Sequence, residues 1–80
     1  MSKVRILLAD DHKMVAEGLG ALLEPEFELV GIVENGHELL EKAEQLKPDV
    51  IIADITMPSL SGIDAVEQLK KAAHKLRLFS

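Results

Sequence analysis

Residues 50–62 read VIIADITMPSLSG: an unbroken apolar run that ends in an aspartate, Asp54, and turns away at once through Pro58. A carboxylate at the end of a buried strand loses solvation that only a partner can restore. Two further runs share the apolar character, VRILLA at residues 4–9 and FELVGIV at residues 27–33. None shows the strict alternation of a half-exposed strand. Continuous Val/Ile/Leu runs of this length are expected of strands covered on both faces.

Segments of helical spacing lie between the runs. Val15, Leu19, Leu22 and Leu23 form one apolar stripe and Leu39, Ala43 and Leu46 a second; Val66, Leu69 and Ala73, with Lys70 on the margin, form a third. Asn35 followed by Glu38, and Ser61 followed by Asp64, predict helix caps. Pro25 and Pro48 stand just beyond the first two helical segments, where a helix does not readily continue. The order is β-α-β-α-β-α, with residues 76–79 as the start of a possible short fourth strand. Alternation of this kind predicts an α/β fold with a parallel sheet and right-handed crossovers.

The bulk properties set limits. Eighty residues make one small domain, able to hide roughly 60% of its unfolded surface. Hydrophobic residues make up 48%, with only Phe27 and Phe79 aromatic, so the core is aliphatic. A net charge of -5 argues against wrapping nucleic acid, which needs a basic face. The basic run Lys70, Lys71, Lys75 and Arg77 reads as a solvated helix end. With no cysteine, disulfides, zinc–thiolate sites and thiol nucleophiles are excluded. The amino terminus lacks the pattern of a secretory signal and no run is long enough to span a membrane, so the cytoplasm is the expected compartment.

Asp10 and Asp11 end the first strand as Asp54 ends the third. In a parallel sheet the carboxyl ends of all strands lie on one edge, where open α/β folds bind ligands. If the first and third strands are neighbours, three carboxylates converge, repel one another and invite a proton or a cation. An all-oxygen set favours a hard ion such as Mg2+. The plain alternative is that Asp10 and Asp11 cap the first helix while Asp54 opens a turn.

ILLADDHKMVAEGL at residues 6–19, taken with DVIIADITMPSLSGIDAVEQLK at residues 49–70, resembles the receiver domain of two-component response regulators, nearest the NarL/FixJ-type subfamily. The resemblance covers essentially the whole chain. It implies a flavodoxin-like (CheY-like) sheet of order 2-1-3-4-5 and a phosphorelay module rather than a turnover enzyme. Asp54 would be the phosphoacceptor, served by a sensor histidine kinase or a small acyl phosphate. Mg2+ would be held by Asp11 directly, by Asp10 mainly through water, by Asp54, and by the main-chain carbonyl of Thr56. Met57 and Pro58 would shape the turn, and Gly62 matches the family's glycine.

The family's domain is longer than this chain. The resemblance therefore implies the N-terminal part of a receiver at residues 1–80, an incomplete fold without the last strands and helices, the phosphoryl-contacting lysine or the DNA-binding domain. Ser80 is a weak match to the hydroxyl after the fourth strand. Loss of the later strands is expected to strip the third strand of a neighbour, to impair phosphoryl acceptance and to favour homo-oligomers through an exposed sheet edge. The competing function is a self-associating interaction module without phosphoryl chemistry. A haloacid-type phosphohydrolase needs a second aspartate two residues after the nucleophile, where Thr56 stands.

His12 reads as an exposed residue at the start of the first helix, and His37 and His74 as ordinary surface residues. Gly18-Leu19-Gly20 lies too far after the strand for a dinucleotide loop and reads as a site of close packing. Met14 and Val15 read as core or its margin.

Overall fold

The computed structural model describes residues 3–54, 67–68, 70–71 and 75–79. The apolar runs become strands β1 (Arg5–Ala9), β2 (Glu28–Val33) and β3 (Val50–Asp54), and the stub becomes β4 (Lys75–Phe79). Helices α1 (Lys13–Leu23) and α2 (Gly36–Leu46) fill the first two crossovers. The sheet has the order β2-β1-β3-β4 and every pairing is parallel. Most of the third helical segment, with its cap at Ser61 and Asp64, lies outside the described residues. Glu67, Gln68, Lys70 and Lys71 are helical and exposed.

One face of the sheet packs on α2. Leu7, Ala9, Val33, Ile51 and Ala53 form a core with Leu39 and Ala43 of the helix, flanked by Val30, Leu40, Leu46 and Leu76. The helix begins where Asn35 accepts the Glu38 N–H at 2.9 Å, as its sequence position predicts. It ends at Lys47, whose left-handed backbone (φ 48°) lets its N–H donate to the Ala43 carbonyl before Pro48 stops the helix. The Arg5 guanidinium donates to the exposed carbonyls of Leu46 (2.7 Å) and Lys47 (3.1 Å), so β1 supplies partners that the helix end lacks.

The opposite face, with Ile6 and Leu8 of β1, packs on α1, but not through the stripe that hydrophobicity predicts. Ala16 and Gly20 are the buried positions of this helix. Leu19 and Leu23 are half-buried, whereas Met14, Val15 and Leu22 face solvent. Small residues win because they admit the helix backbone close to β2. A methyl added at Gly20 would lie 3.0 Å from Leu29 Cδ2, while one at Gly18 would meet nothing within 4 Å. Close packing thus holds for Gly20 only, and Met14 and Val15 are not core.

Two further expectations change. β3 is not stripped of a neighbour: β4 pairs with it from Val50↔Lys75 to Asp54↔Phe79, and β4 is an outer strand, as β2 is at the other edge of the described sheet. Lys75 and Arg77 accordingly belong to a strand, not to a helix end, and stay exposed while Leu76 between them packs against the core. Charged residues on an outer strand discourage pairing with other chains.

Gly18→Ala is expected to raise the unfolding free energy by about 1 kcal/mol, the full helix-propensity difference, measured by urea denaturation. Gly20→Ala should yield less, because its methyl must displace Leu29. Equal gains at both sites would show that the contact yields freely.

Candidate functional site

The ladder between β1 and β3 runs from Ile6↔Val50 to Ala9↔Ala53, so the next residue on each chain, Asp10 and Asp54, leaves the sheet at the same edge. The Asp10 N–H donates to the Val33 carbonyl at 3.0 Å, tying the tip of β1 to β2 as well. Both acids are buried, Asp10 to 1% exposure and Asp54 to 4%. Asp11 follows, with its side chain one-third exposed. Ligand atoms of Asp10, Asp11, His12 and Asp54 all lie within 4.8 Å of one another.

His12 completes this group. It stands at the N-cap of α1 with extended backbone and makes no side-chain cap. Its N–H donates instead to Asp10 Oδ1 at 2.8 Å, which folds the chain back over the strand tip. The imidazole Nδ1 then lies 3.0 Å from Asp10 Oδ1, 3.0 Å from Asp11 Oδ1 and 3.7 Å from Asp54 Oδ2. The sequence places His12 at the helix start and exposed, which holds for most of the ring. That its Nδ1 reaches three carboxylates was not legible. The one local signal is its place directly after the acidic pair.

The hydrogen bond to Asp10 and the charge of Asp11 raise the His12 pKa above its ordinary 6.5. Asp10 spends one oxygen on His12, while its Oδ2 is buried and has no hydrogen-bond partner. An orphaned carboxylate oxygen inside a group of acids is the environment of a cation ligand.

The three carboxylates therefore come together as the strand order requires. Thr56, Met57, Pro58 and Gly62 lie outside the described residues, as do His74 and Ser80. His37 is an exposed residue in the first turn of α2 and is not among the grouped ligand atoms. No helix among the described residues is long and apolar enough to cross a membrane.

Comparison with known proteins agrees with this fold. Residues 6–79 match the family model described as the response regulator receiver domain. The chain is 44% identical over 68 residues to the transcriptional regulatory protein LiaR of Bacillus subtilis, covering 82% of this chain and 32% of that protein. It is 42% identical over 71 residues to a protein-glutamate methylesterase/protein-glutamine glutaminase of Carboxydothermus hydrogenoformans, covering 86% of this chain and 20% of the relative. It thus spans a third or less of the length of these relatives. Among solved structures, the response regulator domain of Thermotoga maritima CheB superposes with a TM-score of 0.82 at 37% identity, covering 95% of this chain and 59% of that one.

Because the His12 pKa is raised in the folded state, its contribution to stability is fully present below the ordinary value near 6.5 and is lost as pH rises through the folded-state value. In the metal-free protein the His12 imidazole proton resonances are expected to titrate with a midpoint above 6.5, and Asp10→Asn should move that midpoint down. A midpoint at or below the ordinary value would mean that the imidazole does not meet these acids in solution.

Proposed function

The chain belongs to the response regulator receiver domain family, and on that premise we propose that it accepts a phosphoryl group on Asp54 from a sensor histidine kinase. The observation that carries this proposal is the meeting of Asp54 with Asp10 and Asp11 at the edge made by β1 and β3. A carboxylate oxygen of Asp54 would attack phosphorus, forming an acyl phosphate as the bond to the donor histidine nitrogen breaks. The donor leaves with the electron pair of that bond.

The same residues fit Mg2+. Asp10, Asp11 and Asp54 supply hard oxygen donors, and the buried Oδ2 of Asp10 has no other partner. The main-chain carbonyl of Thr56, outside the described residues, is the fourth oxygen that the family resemblance implies. When bound, the ion would offset the negative charge that gathers between Asp54 and the incoming phosphoryl group. Asp54 is almost wholly buried, so the site keeps bulk water from most of its carboxylate. Signalling of this kind takes place in the cytoplasm, and transcriptional regulatory relatives such as LiaR suggest gene control as its output.

A second reading, a self-associating interaction module without phosphoryl chemistry, is favoured by one feature. β4 is one of two outer strands among the described residues, and its Leu78 is 44% exposed. Lys75 and Arg77 on the same strand oppose it.

Incubation with Mg2+ and acetyl phosphate is expected to add a phosphoryl mass increment to only a small fraction of the chain, consistent with impaired acceptance, and Asp54→Asn should abolish it and a chelator suppress it. A folded protein that gains no increment would transfer support to the second reading. Under the second reading, self-association through β4 would appear as a concentration-dependent dimer in light scattering at micromolar protein, and Leu78→Lys should weaken it. A monodisperse monomer throughout that range would count against pairing at this edge.

A further inference from the structure

We propose that His12 is a ligand of this cation site, and that its imidazole extends the site from Mg2+ to the borderline divalent transition metals. The inference rests on the reading of the acidic group as a cation site.

Three observations carry it. First, the donor atoms lie close enough for small side-chain shifts to bring them onto one ion, all four within 4.8 Å of one another. Adjacent ligands of an octahedral ion with bonds of about 2.1 Å stand roughly 3 Å apart. His12 Nδ1 is 3.0 Å from one oxygen of Asp10 and 3.0 Å from one of Asp11, with Asp54 Oδ2 at 3.7 Å. Second, Asp10 keeps a buried oxygen with no hydrogen-bond partner, so the imidazole alone does not satisfy the site. Third, the ring is held by its own main chain. The His12 N–H bond to Asp10 Oδ1 fixes the turn that presents Nδ1 to the acids, while the rest of the ring remains in solvent.

The donor chemistry then sets the selectivity. Mg2+ takes oxygen and gains little from imidazole nitrogen, whereas Co2+, Ni2+ and Zn2+ accept imidazole readily. Three carboxylates with one imidazole make a mixed oxygen and nitrogen set. Such a set retains Mg2+ through its oxygens and binds the later metals more tightly. The competing account of the same contacts is an imidazolium that sits among the acids as a counter-ion, and it makes the opposite prediction for Mg2+.

Binding of Co2+ and of Mg2+ to the whole chain would be measured by calorimetry, in buffer alkaline enough to keep the imidazole neutral. The expected result is that Co2+ binds at least about tenfold more tightly than Mg2+. His12→Ala should weaken Co2+ about tenfold or more and leave Mg2+ within about twofold, since each factor of ten is ~1.4 kcal/mol. Asp11→Ala should weaken both ions. On the unmodified chain, bound diamagnetic Zn2+ should shift the His12 Nδ1 nitrogen resonance strongly, as ligation requires, a readout independent of whether any variant folds.

Co2+ affinity unchanged in His12→Ala, with no shift of the His12 ring, would overturn the inference and leave the Mg2+ site standing. Tighter Mg2+ binding by that variant in mildly acidic buffer, with Co2+ affinity unchanged in alkaline buffer, would identify the imidazole as a counter-ion only and overturn it equally. Failure of both ions to bind would remove the cation site and the inference together.

Discussion

Parallel pairing of β1 with β3 is the constraint on which the rest of the molecule depends. The ladder that ends at Ala9↔Ala53 delivers Asp10 and Asp54 to one edge of the sheet. A slip of one residue would send the apolar set of a strand to the wrong face. Leu7 and Ile51, both fully buried beside Leu39 of α2, hold the register, since burying one such side chain stabilises the fold by about 1.5–3 kcal/mol. Hydrophobic burial thus fixes the position of two carboxylates that would otherwise favour water.

The two ends of the sheet are treated differently. At the end where β1 begins, polar groups satisfy one another. Asp49 accepts the Arg5 N–H at 2.9 Å, and the Arg5 guanidinium covers the carbonyl end of α2. At the end where β1 and β3 finish, the described residues gather negative charge beside an exposed imidazole, and among them a buried oxygen of Asp10 has no hydrogen-bond partner. The first end contributes to stability. The second holds chemical potential for a ligand, at the edge where α/β sheets generally bind them.

Much of the fold was legible because its signals are local. Continuous apolar runs marked β1, β2 and β3, and the α2 stripe of Leu39, Ala43 and Leu46 matched its buried side. The α1 stripe did not. Hydrophobic periodicity counts Val15 and Leu22, yet the helix approaches the sheet through Ala16 and Gly20, whose small size permits contact with β2. β4 shows the same limit. KLRLF fits a basic helix end or an outer strand equally well, and only pairing with β3 decides between them.

The sequence by itself determined that acids end two buried strands, that the sheet is parallel, and that those ends share an edge. These follow from run length, spacing and chain order, which are properties of neighbours along the chain. Tertiary structure alone decided that the Nδ1 of His12 meets Asp10, Asp11 and Asp54 together. Contacts over a few ångströms depend on a turn closed by the His12 N–H and on a strand ladder built from a distant segment. Local spacing encodes neither, because it sets which face a residue occupies and not which remote side chain it touches.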